Sequence, residues 1–233
     1  MDPNGRDWFQ IGDGYGAKFE WHEGKKHTYK DADGKEHKAK NVGTHLLVFE
    51  FSRNEDGSIK RNSDGAAVGT LSLYNQNRVV AQNTEAFTGG RAPDGSQYND
   101  QPVGVFTIRT DIRSRASDSS ATTTTSDGRT FLKPIYGLQE IDRSLGFTDP
   151  WGTRRAALNE WDTNLPIQYR GNYLHGHERA TNTTLGCICD RPQTVLDAIF
   201  RLNSAVTPRV KVVVTDGSPR SGDPKPGPYV INP

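Results

Sequence analysis

Four side chains with chemistry to offer sit close together in the last third of the chain. They are His175 and His177, then Cys187 and Cys189, each pair two residues apart. An imidazole beside a thiol is the smallest apparatus for nucleophilic catalysis near neutral pH. A free thiol ionises near about 8.5, and an adjacent imidazolium or peptide dipoles bring its thiolate within reach. Gly186, immediately before Cys187, lets the backbone approach a substrate carbonyl, so that consecutive N–H groups can face a developing oxyanion. The same four side chains are also soft metal ligands. Strand alternation would put each pair on one face, which makes a zinc site of His175, His177, Cys187 and Cys189 the competing chemistry. Cys-x-Cys is a less usual zinc spacing than Cys-x₂₋₄-Cys, and zinc gives no reason for Gly186. A third fate for Cys187 is burial as a small hydrophobe.

These residues need a scaffold, and the sequence describes one. Tyr169 to His175 reads as a strand rising into the site. Leu46 to Phe51, Gly69 to Tyr74, Arg78 to Gly90 and Pro102 to Arg109 read as further strands, and Val210 to Val214 as a closing one. Phe19 to His22 and His27 to Tyr29 suggest two strands around Glu23-Gly24. Asp31-Ala32-Asp33-Gly34 reads as a turn, because Lys35, His37 and Lys38 follow where a calcium loop would need oxygens. Residues 114–130 form a Ser/Thr-rich loop, 131–141 hold one or two short strands, and 150–161 a short helix at most. The convincing helix follows the cysteines, with Val195, Ala198, Ile199 and Leu202 at helical spacing, Pro192 suited to its first turn and Asp190 to a cap. His22, His27, His37 and His45 read as surface or strand residues, and Trp8, Trp21, Trp151 and Trp161 as core or cleft aromatics.

Composition narrows the class. Gly 24 and Pro 13 in 233 residues suit a turn-rich β protein. Lys+Arg 29 against Asp+Glu 28 leaves a net charge of +1, so nothing demands nucleic acid or an anionic membrane as partner. The apolar runs fall far short of the roughly 20 residues that a spanning helix needs. Two cysteines make no disulfide framework. The first residues, Met1-Asp2-Pro3-Asn4-Gly5-Arg6, show no basic and apolar export signal. The expected organisation is a β-hairpin-like extension over 1–43, a main domain over 44–215 and a Pro-rich tail over 216–233.

Thr184-Leu185-Gly186-Cys187-Ile188 resembles the Ser/Thr-x-Gly-Cys core of the L,D-transpeptidase catalytic domain, and Leu174-His175-Gly176 resembles that family's strand-borne His-Gly. Phe87-Thr88-Gly89-Gly90 followed by Pro102-Val103-Gly104-Val105-Phe106-Thr107-Ile108 is similar to the stretch upstream of the family's histidine. The likeness runs over roughly 44–215. It implies a mostly-β, sandwich-like domain with one helix after the catalytic cysteine, and an enzyme that cuts and rejoins peptidoglycan stem peptides through a cysteine thioester, with no cofactor. In that reading Cys187 is the nucleophile and His175 holds its thiolate as an ion pair. The amides of Leu185, Gly186 and Cys187 form the oxyanion hole, and His177, Thr184, Gly176 and Arg191 meet substrate. Leu185 stands where the family usually has His, and Cys189 where it has Arg or Asn, which moves carboxylate recognition to Arg191, Arg179 or Arg170. The resemblance implies action in the periplasm or cell wall. A branch of the family serves as type VI secretion effectors, which travel without a signal peptide, and it implies the secretion machinery and a cognate immunity protein as partners. The alternatives are the zinc-binding domain and a catalytically silent wall-binding module.

Overall fold

The structure, a computed structural model, describes residues 5–13, 16–91, 94–117, 119–128, 130–142, 144, 151–160, 172–177, 184, 186–217 and 229–230. The chain opens with β1 (Arg6–Ile11), β2 (Lys18–Glu23), β3 (Thr28–Lys30), β4 (Glu36–Lys38) and β5 (Lys40–Gly43). An antiparallel meander follows, of β6 (His45–Phe51), β7 (Ala66–Asn75) and β8 (Arg78–Arg91). Next come β9 (Gln97–Tyr98), β10 (Gly104–Arg109), β11 (Arg113–Ala116), β12 (Thr122–Thr124), β13 (Thr130–Leu132), β14 (Leu138–Ile141), β15 (Trp151–Ala157) and β16 (Asn159–Glu160). The site region brings β17 (Tyr173–His177) and β18 (Ile188–Cys189), then α1 (Thr194–Phe200), β19 (Arg209–Thr215) and β20 (Tyr229–Val230). Among the described residues the protein is mostly β with one α-helix, as expected, and that helix follows the cysteines.

A single mixed sheet of 12 strands organises the fold, in the order β11-β14-β15-β17-β18-β8-β7-β6-β19-β10-β16, with β9 added on β8. It curls, because residues from its two halves meet in one core. Leu47, Phe49, Leu71, Leu73, Phe106, Val212 and Val214 from the centre share a cluster with Leu138, Ala156, Leu174 and Ile188 from the other half. The apolar side of α1 (Val195, Leu196, Ile199 and Phe200) packs into the same cluster. The buried helix face thus differs by a residue or two from the expected spacing, since the helix ends at Phe200.

Strand β6 is buried along both faces, which explains its unbroken apolar run. Its second face, with Leu46 and Val48, joins Val105 and Val213 under Trp8, Ala17 and Phe19. Those come from a four-stranded sheet, β20-β2-β1-β5, laid on the outside of the main one. This outer sheet is therefore packed onto the main sheet through a shared core, while β3 and β4 form a separate two-stranded sheet. Trp8 anchors the contact: its ring meets Trp21 and Tyr74 edge-on, each at 5.6 Å, and its Nε1 donates to the Gln76 carbonyl at 2.8 Å.

Several local expectations are revised. The 150–161 stretch holds strands β15 and β16 rather than a helix, because β14 and β17 offer β15 a ladder on both sides. The two strands expected around Glu23-Gly24 are present as β2 and β3, but they pair with other strands, β2 with β1 and β3 with β4. The 114–130 loop contains part of β11, which runs parallel to β14, and β12, which pairs with β13. The C-terminal segment contributes β20, parallel to β2 through Tyr229 and Val230. Pro192 lies two residues before α1 rather than in its first turn. No helix among the described residues is long and apolar enough to cross a membrane.

Candidate active site

Strands β17 and β18 run parallel, with Leu174 opposite Ile188 and His175 opposite Cys189. Leu174 and Ile188 face the main core, so alternation turns Tyr173, His175, Cys187 and Cys189 to the other side. There Cys187 packs with Ala157 and Tyr173, and Trp151 leans on that group. Trp151 also meets the His175 ring edge-on at 4.6 Å, and so spans the histidine and the thiol's surroundings. Cys189 goes elsewhere, into a small cluster with Ala66 and Phe87. The two cysteines are free, and their surroundings separate: Cys187 packs with Ala157 and Tyr173 beside Trp151, the ring that also meets His175, while Cys189 fills the seam between β18 and β8.

The histidine is held in one tautomer. His175 is buried, and its Nδ1 hydrogen-bonds the carbonyl of Gly176, which makes Nδ1–H the donor and leaves Nε2 the basic nitrogen. Asp190 fixes the strand beneath it. Its N–H donates to the His175 carbonyl at 2.9 Å, while its carboxylate accepts from Asn83 Nδ2 at 2.8 Å and from the Leu196 N–H at 2.7 Å. Asp190 thus caps α1 from a distance and ties β17, β8 and the helix together.

The loop leading to Cys187 is pinned just as firmly. Thr184 N–H donates to Gly89 O at 2.7 Å, Gly89 N–H donates back to Thr184 Oγ1 at 3.1 Å, and that hydroxyl donates to Cys187 O at 2.7 Å. The Thr184 hydroxyl thus ties the Gly89 backbone to the backbone of Cys187. Gly176 is buried against the Gln193 side chain, which a β-carbon would strike at 2.4 Å. It too serves packing. Gly186 has φ +98°, and a β-carbon there would come within 3.3 Å of the Asn99 carbonyl. Gly186→Ala is expected to cost about 1–3 kcal/mol from left-handed strain and to disable the site; an unchanged urea midpoint would contradict this.

Electrostatics set the resting state of the thiol. Burial pushes the Cys187 thiol up to about 11, against a hydrogen bond from the Tyr173 backbone and the positive charge of Arg155. Burial thus favours the neutral thiol over the thiolate at Cys187. Cys189 is pushed up further, by burial and by Asp190.

Arg155 is the residue that sequence reasoning missed. It lies opposite His175 on β15, is 1% exposed, and stacks its guanidinium 4.9 Å from both the Trp151 and Tyr173 rings. Its Nε donates to Gln139 Oε1 at 2.8 Å, and Nη2 donates to the Lys133 carbonyl. Reading 150–161 as a strand would have placed it beside the histidine. Arg191 is exposed. Leu185, Arg170, Arg179 and Trp161 lie outside the described residues, as does the His177 side chain. Asn172 and Gln101 were also missed. Asn172 Oδ1 lies near Gly186, and its buried Nδ2 has no partner among the described residues. Gln101 is likewise buried with both amide atoms unmatched there, and its N–H donates to Thr88 Oγ1 at 2.7 Å. Comparison with known protein families, curated proteins and solved structures finds no match to this chain.

Proposed function

We propose that the chain is a cysteine-dependent acyltransferase of the L,D-transpeptidase type, acting on peptidoglycan stem tetrapeptides. One observation supports this above the others. Thr88-Gly89-Gly90 is distant in sequence from His175-Gly176 and from Thr184 and Cys187, yet these segments meet at one place, with Thr184 hydrogen-bonded to Gly89 and β17 paired to β18. Neither a zinc site nor a buried structural cysteine asks the upstream Gly-Gly to support the Gly186–Cys187 turn.

The chemistry follows from the protonation states. As a stem peptide arrives, Cys187 Sγ attacks the carbonyl of its third residue and its proton passes to His175 Nε2. Nδ1–H stays on the Gly176 carbonyl and keeps the ring oriented. The amides of Gly186 and Cys187, with that of Leu185 in the resemblance, receive the oxyanion. Collapse breaks the bond to the terminal D-alanine, whose amine takes the proton from His175, and leaves a thioester. A side-chain amine then gives a 3→3 cross-link, a D-amino acid gives exchange, and water gives carboxypeptidase trimming. The reading places the protein's action in the periplasm or wall. In its antibacterial-effector form it carries a cognate immunity protein and delivery by a signal-independent route such as type VI secretion.

Mass spectrometry of muropeptides incubated with the purified protein, reduced and free of metal, tests the class. The expected result is loss of the terminal D-alanine from tetrapeptides, its replacement by an added D-amino acid, or new dimers. Unchanged muropeptides across all three readouts would overturn the proposal.

A further inference from the structure

The outer sheet carries a second constellation that the cysteine chemistry does not use. Glu20 and His22 alternate onto the same face of β2, and the turn Glu23-Gly24-Lys25-Lys26 returns the chain so that His27 comes back over them. The His22 and His27 rings stack at 3.7 Å with 15° between their planes, and Phe9 on β1 packs against both, at 6.2 Å and 5.6 Å. One ligating atom from each of Glu20, His22 and His27 lies within 4.8 Å of the others. All three side chains are half-buried, so a bound ion would be partly shielded yet reachable from solvent. Sequence reading treated these histidines as plain surface or strand residues, because the contact depends on the turn at 23–26.

We propose that Glu20, His22 and His27 form a binding site for a divalent first-row transition-metal ion of the zinc kind. Two imidazole nitrogens and one carboxylate oxygen are a zinc-type donor set that leaves a fourth position for water or another ligand. Zinc at its usual ligand distances of about 2.0–2.2 Å holds its ligands roughly 3.3–3.6 Å apart. The side chains therefore need to close by an ångström or so, which one imidazole tilting about its broad ring torsion supplies. The Glu20 carboxylate is already divided. Oε1 takes Lys18 Nζ at 2.7 Å, and Oε2 takes His22 Nε2 at 2.7 Å, so a metal replaces the hydrogen bond on Oε2 and leaves the lysine in place. Other charges nearby are engaged: Lys25 Nζ lies 3.0 Å from Asp7 Oδ2. The ion would fasten the 23–27 turn onto β2.

The test uses the full chain stripped of metal, titrated with zinc alone against a competing chromophoric chelator. One equivalent is expected to bind with a dissociation constant in the micromolar range or tighter, and to raise the Tm. His22→Ala and His27→Ala should each weaken binding by tenfold or more and remove the zinc-induced rise, with Glu20→Gln weakening it by a similar factor. Cys187→Ala/Cys189→Ala should bind zinc as the wild type does. His27→Gln, a change in a turn, serves where an alanine variant fails to fold. No bound zinc, or undiminished binding after loss of either histidine, overturns the site. Binding lost with the cysteines overturns it too, and would return zinc to the Cys187–Cys189 region. This site and the cysteine chemistry fail independently, because its readout is metal binding and not muropeptide turnover.

Discussion

Cys187→Ala is expected to abolish acyl-enzyme formation and to cut muropeptide turnover by about 10³-fold or more, the scale of loss when a covalent nucleophile is removed. The fold should survive at a cost of about 1 kcal/mol, since the change deletes one sulfur from a cluster with Ala157 and Tyr173. Cys189→Ala, which loosens a contact with Phe87 and Ala66, should keep its activity. His175→Ala should slow turnover by about 10²–10⁴-fold by removing the proton acceptor. Intact-protein mass spectrometry after substrate incubation, with near-ultraviolet circular dichroism as the fold control, checks each variant. An adduct that persists in Cys187→Ala and disappears in Cys189→Ala would show that the nucleophile had been assigned to the wrong sulfur. Because burial holds the Cys187 thiol up to about 11, its alkylation without substrate should be slow at pH 7. The rate should climb about tenfold per pH unit until the thiolate dominates. A rate already at its plateau at pH 7 would revive the ion pair.

Arg155→Met is expected to be the most damaging single change to stability that also reaches the site. Methionine keeps much of the volume but leaves the Gln139 amide oxygen and the Lys133 carbonyl without their donor in a dry interior. A loss of about 2–4 kcal/mol follows, a fall in Tm of roughly 5–15 °C for a chain of this size. The second effect is electrostatic. The guanidinium favours the Cys187 thiolate, so its removal should shift the pH profile of alkylation further upward. Arg155→Lys separates the two: the charge stays, and most of the pH profile with it, while the two-pronged hydrogen bonding and the stacking on Trp151 and Tyr173 are lost. Thermal melts and alkylation rates across pH measure both. If Arg155→Met melts with the wild type and keeps its profile, the arginine neither supports the site nor tunes it.

The pairing of β17 with β15 shows why the His-Gly and Gly-Cys pieces were legible while their setting was not. His175-Gly176 and Gly186-Cys187 announce themselves through local chemistry: an imidazole, a thiol, and glycines where a side chain would collide. The strand nature of Trp151 to Ala157 could not be read the same way. Its ladders come from residues about fifteen to twenty positions away on each side, and two of its residues, Gly152 and Arg155, break the apolar alternation for reasons visible only in three dimensions. Gly152 makes room for Gln193 and the backbone of Gly176. Arg155 is buried because two rings and two oxygens receive it.

By itself the sequence determined what depends on neighbours along the chain. That covers the mostly-β character, the helix after the cysteines, the turn at Asp31–Gly34 and the His-Gly and Gly-Cys pieces, because periodicity, turn residues and caps are local properties. Tertiary structure decided what depends on distant partners. It laid a sheet of β1, β2, β5 and β20 on the main one, split Cys187 from Cys189 into separate clusters, and put Thr184 on Gly89. It also raised the Cys187 thiol by burial and gathered Glu20, His22 and His27 across a turn. Burial and cross-strand register arise from surfaces that meet only once the chain is folded, and protonation states and ligand sets follow from them.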